Sequence, residues 1–343
     1  MEKMLNKTWW RMAGVLLVLG GCWLSPGRAA DDATPARPTL PLIMDCDPGS
    51  DDAMALWLLH ALGRSPDFLV ATPGNSPRRQ VFANLELLAR HLGLKAPLWM
   101  GAEKRADGTE PQTDGFFLFD GLTGVSGELM ARHGNPGPIR AGGVQATVDF
   151  IRAHEKVEYF AAGPLTTLAA ALRAAPDISS HLEKVCVMGG SIDNPEAQKT
   201  DFNTICDIQA AAAVYSSGVP LIVFPIHETI KEVFTDSFIL SLEETGKLPV
   251  LSNLIRGAFT ANVREDNELY AELHDMVVAA YFIAPESFQI TEKRLRIGDK
   301  AMLVSDPDGI PIRVMTQKEP LLLRRLFTEI YRRAGADLPP TGK

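Results

Sequence analysis

Apolar positions along the chain fall into short continuous runs that alternate with helical patterns. Leu40 to Asp45 is a short apolar run, and a helical pattern from Asp51 to Leu62 follows it across a Pro48-Gly49 turn. Phe68 to Thr72 reads as a second strand, and Val81 to Leu92 as a helix with apolar residues at helical spacing. Pro97 to Met100 is a third short strand. Val144 to His154 reads as a helix, Glu158 to Ala162 as a strand, and Pro164 to Ala174 as an Ala/Leu helix. Val185 to Met188 and Leu221 to Phe224 complete the buried runs, and Leu321 to Arg333 is an amphipathic packing helix. Apolar strands separated by helices predict an α/β fold: a mainly parallel, Rossmann-like central sheet with helices on both faces.

Ligands of such sheets bind beyond the carboxyl ends of the strands. The least ordinary residues of the chain fall there. Asp45 and Asp47 end the first strand, Asn75 follows the second, Gly163 follows the Glu158 strand, and Gly189-Gly190 follows the Val185 strand. Arg105 to Gly142 has few helical or strand signals and many Gly, Pro and Asp residues, and reads as a long loop, functional or disordered. Its Phe116-Phe117-Leu118-Phe119 cluster reads equally as a pocket wall and as a local hydrophobic anchor.

The amino terminus stands apart from this pattern. Lys3, Lys7 and Arg11 precede an apolar run from Met12 to Leu24, which is too short for a permanent membrane span and reads as an export signal. Two processing sites compete. Cleavage after Ala29 gives a signal peptide over 1–29; the lipobox-like Leu19-Gly20-Gly21-Cys22 gives a leader over 1–21 and a lipid anchor at Cys22. The polar, Pro-rich residues 30–41 then form a tether, and 42–343 the folded domain. An exported protein, periplasmic or extracellular, is expected. A formal net charge of -8 with scattered basic residues disfavours nucleic acid as a partner. Cys46 and Cys186 lie in apolar runs and read as buried small hydrophobes; no cysteine spacing suggests zinc.

The strongest chemical signal is Asp45-Cys46-Asp47-Pro48-Gly49-Ser50-Asp51-Asp52. Four carboxylates this close repel one another unless a cation or protons offset the charge. The Pro-Gly turn lets carboxylates on either side converge, and Asp51 and Asp52 open a helix whose amino end favours anions. A hard divalent cation with oxygen ligands, calcium or magnesium, suits that arrangement. A helix cap accounts for Asp51 or Asp52 but not for Asp45 and Asp47. An EF-hand loop fails, because Gly49 is fifth rather than sixth, Leu56 stands at the twelfth position, and a strand precedes. An aspartyl phosphotransferase of the haloacid-dehalogenase kind also opens with a strand and Asp-x-Asp, and stays open as an alternative.

Asp45-Cys46-Asp47-Pro48-Gly49-x-Asp51-Asp52-Ala53-x-Ala55-Leu56 closely resembles the amino-terminal signature of the inosine–uridine-preferring nucleoside hydrolase family. Further landmarks follow in order: Thr72-Pro73-Gly74-Asn75, Ala161 to Thr166, Met188-Gly189-Gly190, Asn194, Asp201-Phe202-Asn203 with Asp207, and His274-Asp275. The resemblance implies a nucleoside hydrolase fold and calcium-dependent hydrolysis of the N-glycosidic bond of ribonucleosides or related N-ribosides, in nucleoside catabolism. It implies calcium ligation by Asp47, Asp52, Asp275 and the backbone carbonyl of Ala162, with Asp47 also the general base. Asp51, Asn75, Asn194, Asp201 and Asn203 would hold the sugar, and His274 would face the leaving base as an acid. A homo-oligomer is also implied.

Two departures bear on activity. Asp201 stands where the family usually has Glu, and its carboxylate is one methylene shorter. The family's His-Gly before a Gly-Leu turn is replaced by the apolar Phe117-Leu118-Phe119-Asp120-Gly121-Leu122. One base-side contact is therefore missing. These departures keep a non-catalytic riboside- or calcium-binding protein in view.

Overall fold

The computed structural model describes residues 39–111, 113, 120–193, 201–231, 233–261 and 271–338. The leader, most of the tether, Phe116–Phe119 and Asn194 lie outside the described residues. Five fully buried residues, Leu42–Cys46, form β1, and α1 (Ser50–Ala61) follows directly. Then come β2 (Phe68–Ala71), α2 (Arg78–Leu92), β3 (Leu98–Met100), α3 (Val125–His133), α4 (Gly143–Arg152), β4 (Val157–Ala161), α5 (Thr166–Ala174) and β5 (Leu182–Met188). The second half adds α6 (Phe202–Cys206), α7 (Ile208–Tyr215), β6 (Leu221–Phe224), α8 (Ile226–Thr229), β7 (Val233–Phe234), α9 (Asp236–Glu243) and α10 (Pro249–Ala261). It closes with β8 (Ala271–Glu272), α11 (His274–Ile283), β9 (Phe288–Ile297), β10 (Leu303–Ser305), β11 (Ile310–Lys318) and α12 (Leu322–Arg333).

The main sheet runs β10-β9-β11-β6-β5-β4-β1-β2-β3. From β3 to β11 every pairing is parallel; only β9 against β11 and β10 against β9 are antiparallel. The alternation of side chains along buried strands divides the core into two layers. Leu42, Met44, Cys46, Phe160, Cys186 and Phe224 face α1, α2, α10, α11 and α12. Ile43, Val70, Tyr159, Val185 and Val223 face α4, α5 and α7. Helices cover both faces, as the pattern predicts.

The chain departs from β1 toward β2 and β3 on one side, then returns to the other side of β1 with β4. That reversal opens a crevice at the carboxyl ends of β1 and β4, where the connections leave in opposite directions. The acidic motif follows β1 into this crevice. Several elements lie outside the sequence pattern. Within Arg105 to Gly142, Val125–His133 is helical, and its Val125 and Leu129 are buried against the α1 layer. The buried runs also do not end at Phe224. Strands β9 and β11 extend the sheet edge, and β9 is mostly solvent-facing, so an apolar-run criterion passes over it.

Candidate active site

Asp47 leaves β1 fully buried and is wedged between two glycines from neighbouring strand ends. Its Oδ2 accepts the backbone N–H of Asn75 at 2.7 Å. A Cβ on Gly74 would stand 2.0 Å from that oxygen, and one on Gly163 would stand 2.8 Å from Oδ1. Neither position tolerates a side chain without moving the carboxylate, which gives both glycines a steric reason.

Asp52 sits in the first turn of α1, where its Oδ2 accepts the N–H of Gly49 at 2.9 Å and the Asn75 side-chain amide at 3.2 Å. Helices α1 and α11 pack against each other, and each carries its aspartates in its first turn. One carboxylate oxygen from each of Asp51, Asp52 and Asp275 falls within 4.8 Å of the others. The aligned peptide dipoles of both helices point their positive ends at this cluster. Among the described residues, Asp52 Oδ1 and Asp275 Oδ1 are buried without a hydrogen-bond donor, a costly state for a carboxylate. An all-oxygen set with two orphaned buried oxygens fits a hard divalent cation.

The same burial perturbs ionisation. Desolvation, and then the Asp52 charge, push the Asp47 and Asp275 carboxyls well above the usual range. Desolvation, with the charge of Asp51 next, raises Asp52 to about 7.

Asp45 belongs to a different arrangement. Its carboxylate accepts the hydroxyls of Thr72 and Tyr159, the latter at 2.6 Å, which tie β1 to the β2 end and to β4. Burial raises it to about 7 and those two hydroxyls pull it back down. The motif therefore divides: Asp51 and Asp52 converge with Asp275, Asp47 lies beside the β2 and β4 ends, and Asp45 braces the strands beneath.

The remaining sequence-predicted residues surround this centre. Asn75 is buried and links Asp47 to Asp52 as described. The Asn203 side-chain amide donates to the carbonyls of Ala162 at 2.6 Å and Met188 at 3.2 Å. Asp201 caps α6: Oδ1 accepts Thr204 N–H at 3.0 Å and Oδ2 accepts Gly190 N–H at 2.8 Å. Both oxygens thus meet backbone donors, which holds the Gly189-Gly190 turn to the start of α6. Asp207 caps α7 and accepts from Ala106 N–H and the Thr166 hydroxyl. His274 opens α11, nearly buried, with Nδ1 2.8 Å from the Thr229 hydroxyl. The Asn84 amide donates to the carbonyls of Pro48 and Asp120, bringing the Asp120-Gly121-Leu122 turn beside the acidic motif.

Thr229, Tyr159 and Asn84 escape the sequence reading. Each acts through a contact distant in sequence; Tyr159 and Asn84 carry a hydroxyl or amide beside apolar neighbours, whereas Thr229, between Glu228 and Ile230, carries no such mark. Cys46, Cys186 and Cys206 are all buried.

The crevice, its carboxylates and the sheet order agree with relationships across the whole domain. The profile of the inosine-uridine preferring nucleoside hydrolases matches residues 42–319. The non-specific ribonucleoside hydrolase RihC of Escherichia fergusonii is 27% identical over 262 residues, covering 73% of this chain and 81% of that protein. RihC of Escherichia coli O139:H28 is 27% identical over 259 residues, with the same coverage. The plant nucleoside hydrolase PpNRh1 superposes with a TM-score of 0.76 at 19% identity, covering 86% of this chain and 99% of that one. The purine-preferring ribonucleoside hydrolase of Gardnerella vaginalis superposes with a TM-score of 0.75 at 20% identity, with the same coverage.

Two outcomes test this geometry. Gly74→Ala is expected to displace Asp47, lowering activity by about a hundredfold and destabilising the fold by about 1–3 kcal/mol; wild-type kinetics in that variant would contradict the wedge. The second concerns pH with cations chelated. Burial lifts Asp45 and Asp52 to about 7 in the folded chain, from about 4 when unfolded. Their contribution to folding is full below the unfolded value, erodes as pH rises, and is gone above the folded one. Thermal unfolding in chelator is expected at a lower temperature at pH 8 than at pH 6, and a divalent cation is expected to reverse the loss at pH 8. A melting temperature in chelator that does not fall between pH 6 and 8 would contradict the assignment.

A profile match across most of the chain, on a sheet whose switch-point crevice gathers the signature aspartates, places this protein in the inosine-uridine preferring nucleoside hydrolase family, enzymes that hydrolyse N-glycosyl compounds.

Proposed function

We propose that this chain hydrolyses the N-glycosidic bond of ribonucleosides or related N-ribosides to ribose and free base, with calcium as its cation. The observation that carries the reading is the convergence of Asp51, Asp52 and Asp275 beside Asp47, with two buried carboxylate oxygens lacking donors. Asp47, Asp52, Asp275 and the Ala162 carbonyl would hold the ion. When bound, calcium offsets the mutual repulsion of these carboxylates and acidifies water in the cleft.

The rest of the chemistry belongs to the side chains. Cleavage builds positive charge on the sugar ring oxygen and anomeric carbon, as in other glycoside hydrolyses. The buried carboxylates stabilise that charge more than the neutral substrate, which is the condition for catalysis. Asp47, held by Asn75 and confined by Gly74 and Gly163, takes the proton of the attacking water. Asp51, Asn194, Asp201 and Asn203 would hold sugar hydroxyls with Asn75 in the same shell, Asp201 also capping α6. His274 supports the leaving base. Its Nδ1 lies 2.8 Å from the Thr229 hydroxyl, a contact that orients the ring and leaves Nε2 as the other ring nitrogen for the base.

The Escherichia relatives are named as non-specific, which supports a broad nucleoside range here. A non-catalytic riboside- or calcium-binding protein is the second reading. The Asp201 carboxylate favours it: one methylene shorter than Glu and drawn to two backbone N–H groups at the α6 cap, it has only its remaining lone pairs to offer a sugar hydroxyl. A reducing-sugar assay with a nucleoside panel, in calcium and in chelator, separates the two. Calcium-dependent ribose release is expected from the wild-type chain. Asp47→Ala is expected to lose calcium binding and at least about a hundredfold in rate. Calcium binding by the wild-type chain with no release from any nucleoside would establish the binder instead.

The amino-terminal segment supports a further part of the proposal: export, with either a cleaved signal peptide or a lipid anchor at Cys22, to act on extracytoplasmic nucleosides, while a homo-oligomer is proposed from the family resemblance alone. Cell fractionation checks it; uncleaved protein found only in the cytoplasm would refute export.

A further inference from the structure

The peptide group between Ala162 and Gly163 is held at both of its polar ends. Its N–H, from Gly163, points to the Asp45 carbonyl at 3.3 Å, and Ala162 N–H donates to the same oxygen at 2.8 Å. Its carbonyl, from Ala162, accepts the Asn203 side-chain amide at 2.6 Å. The same amide reaches the Met188 carbonyl at 3.2 Å, so one side chain bridges the ends of β4 and β5. Both neighbours are acceptors, and this fixes the orientation of the Asn203 amide: nitrogen toward the carbonyls, Oδ1 away from them. The position of Asn203 is set in turn by α6, whose first residue follows the Asp201 cap.

A carbonyl oxygen carries two lone pairs. With one directed to Asn203, the other stays available, and the peptide plane cannot tilt freely despite the glycine that follows. We propose that Asn203 is a positioning residue for the cation: it holds the Ala162 carbonyl in the orientation in which that oxygen ligates, and so links the cation site to the sugar site. The proposal rests on the cation reading given above. Its physical content is that a side chain outside the ligand set controls cation affinity through the ligand that it fixes. The remaining Oδ1 is an acceptor suited to a sugar hydroxyl. Sugar on Oδ1 and cation at the Ala162 carbonyl are thereby joined through a single amide, and any coupling between them must be reciprocal.

The test is calorimetric titration of calcium into the chelator-stripped full chain with no sugar present, which leaves a purely sugar-binding role silent. Asn203→Ala removes the amide, and Asn203→Leu removes it while keeping the volume. Both variants are expected to bind calcium about 10- to 100-fold more weakly than wild type, with melting temperatures in chelator close to that of wild type. Affinity within about twofold of wild type in both, or tighter binding, overturns the proposal while leaving the cation site standing. Absence of calcium binding by the wild-type chain overturns the cation reading and this inference with it. Should Asn203→Ala fail to fold, Asn203→Leu decides; unfolding of both in chelator also overturns the proposal, since the bridge would then serve the fold and not the cation.

Discussion

Mutual repulsion among buried carboxylates is the constraint on which the rest of this structure depends. Asp47, Asp52 and Asp275 are nearly inaccessible to water, and Asp51 lies close to two of them. Burial alone would drive such groups to bind protons, as their raised pKa values show. The fold answers with fixed dipoles. Backbone N–H groups of Gly49 and Asn75, the Asn75 amide and the amino ends of α1 and α11 all direct positive charge at the cluster. These offset the repulsion only in part, since Asp52 Oδ1 and Asp275 Oδ1 still lack donors. A cation would complete the balance, and this is why the same arrangement reads as a site and not as a defect.

Close approach of backbone to carboxylate is the second requirement. Gly74 and Gly163 come from different strand ends, yet both admit the Asp47 carboxylate at distances that no side chain allows. The register of β1 between β2 and β4 brings them together. Below them, Asp45 fastens the same three strands through Thr72 and Tyr159. One aspartate of the motif therefore supports the geometry in which the others act. Changing Asp45 would disturb the site without any contact to substrate.

Asp201 illustrates how a small chemical difference alters a role. A carboxylate one methylene shorter than Glu lies close to its own backbone, where it caps α6 and holds Gly190. The turn it stabilises carries Asn203 to the Ala162 carbonyl. A residue that reads as a sugar ligand by its place in a motif thus acts on the neighbouring strand end as well.

Much of this protein was determined by sequence alone. The alternation of apolar runs with helical patterns specified a parallel sheet covered on both faces, because strands buried on two sides must be apolar throughout. The density of carboxylates after the first strand specified a charged centre, because no fold can bury them together without compensation. What tertiary structure decided is which atoms converge. Asp45 and Asp47 are two residues apart, yet one braces the sheet and the other lies in the crevice; the difference arises from Thr72, Tyr159, Gly74 and Gly163, which no local pattern brings near. Asp275 joins Asp51 and Asp52 only through the packing of α11 on α1. Strand β9 was not legible either, since Leu295 is its one fully buried residue and its pairing with β11 rests on backbone hydrogen bonds that need no continuous apolar run. Local pattern encodes the elements because burial selects residue type position by position; the site is settled by contacts between elements, which depend on register and packing across the whole sheet.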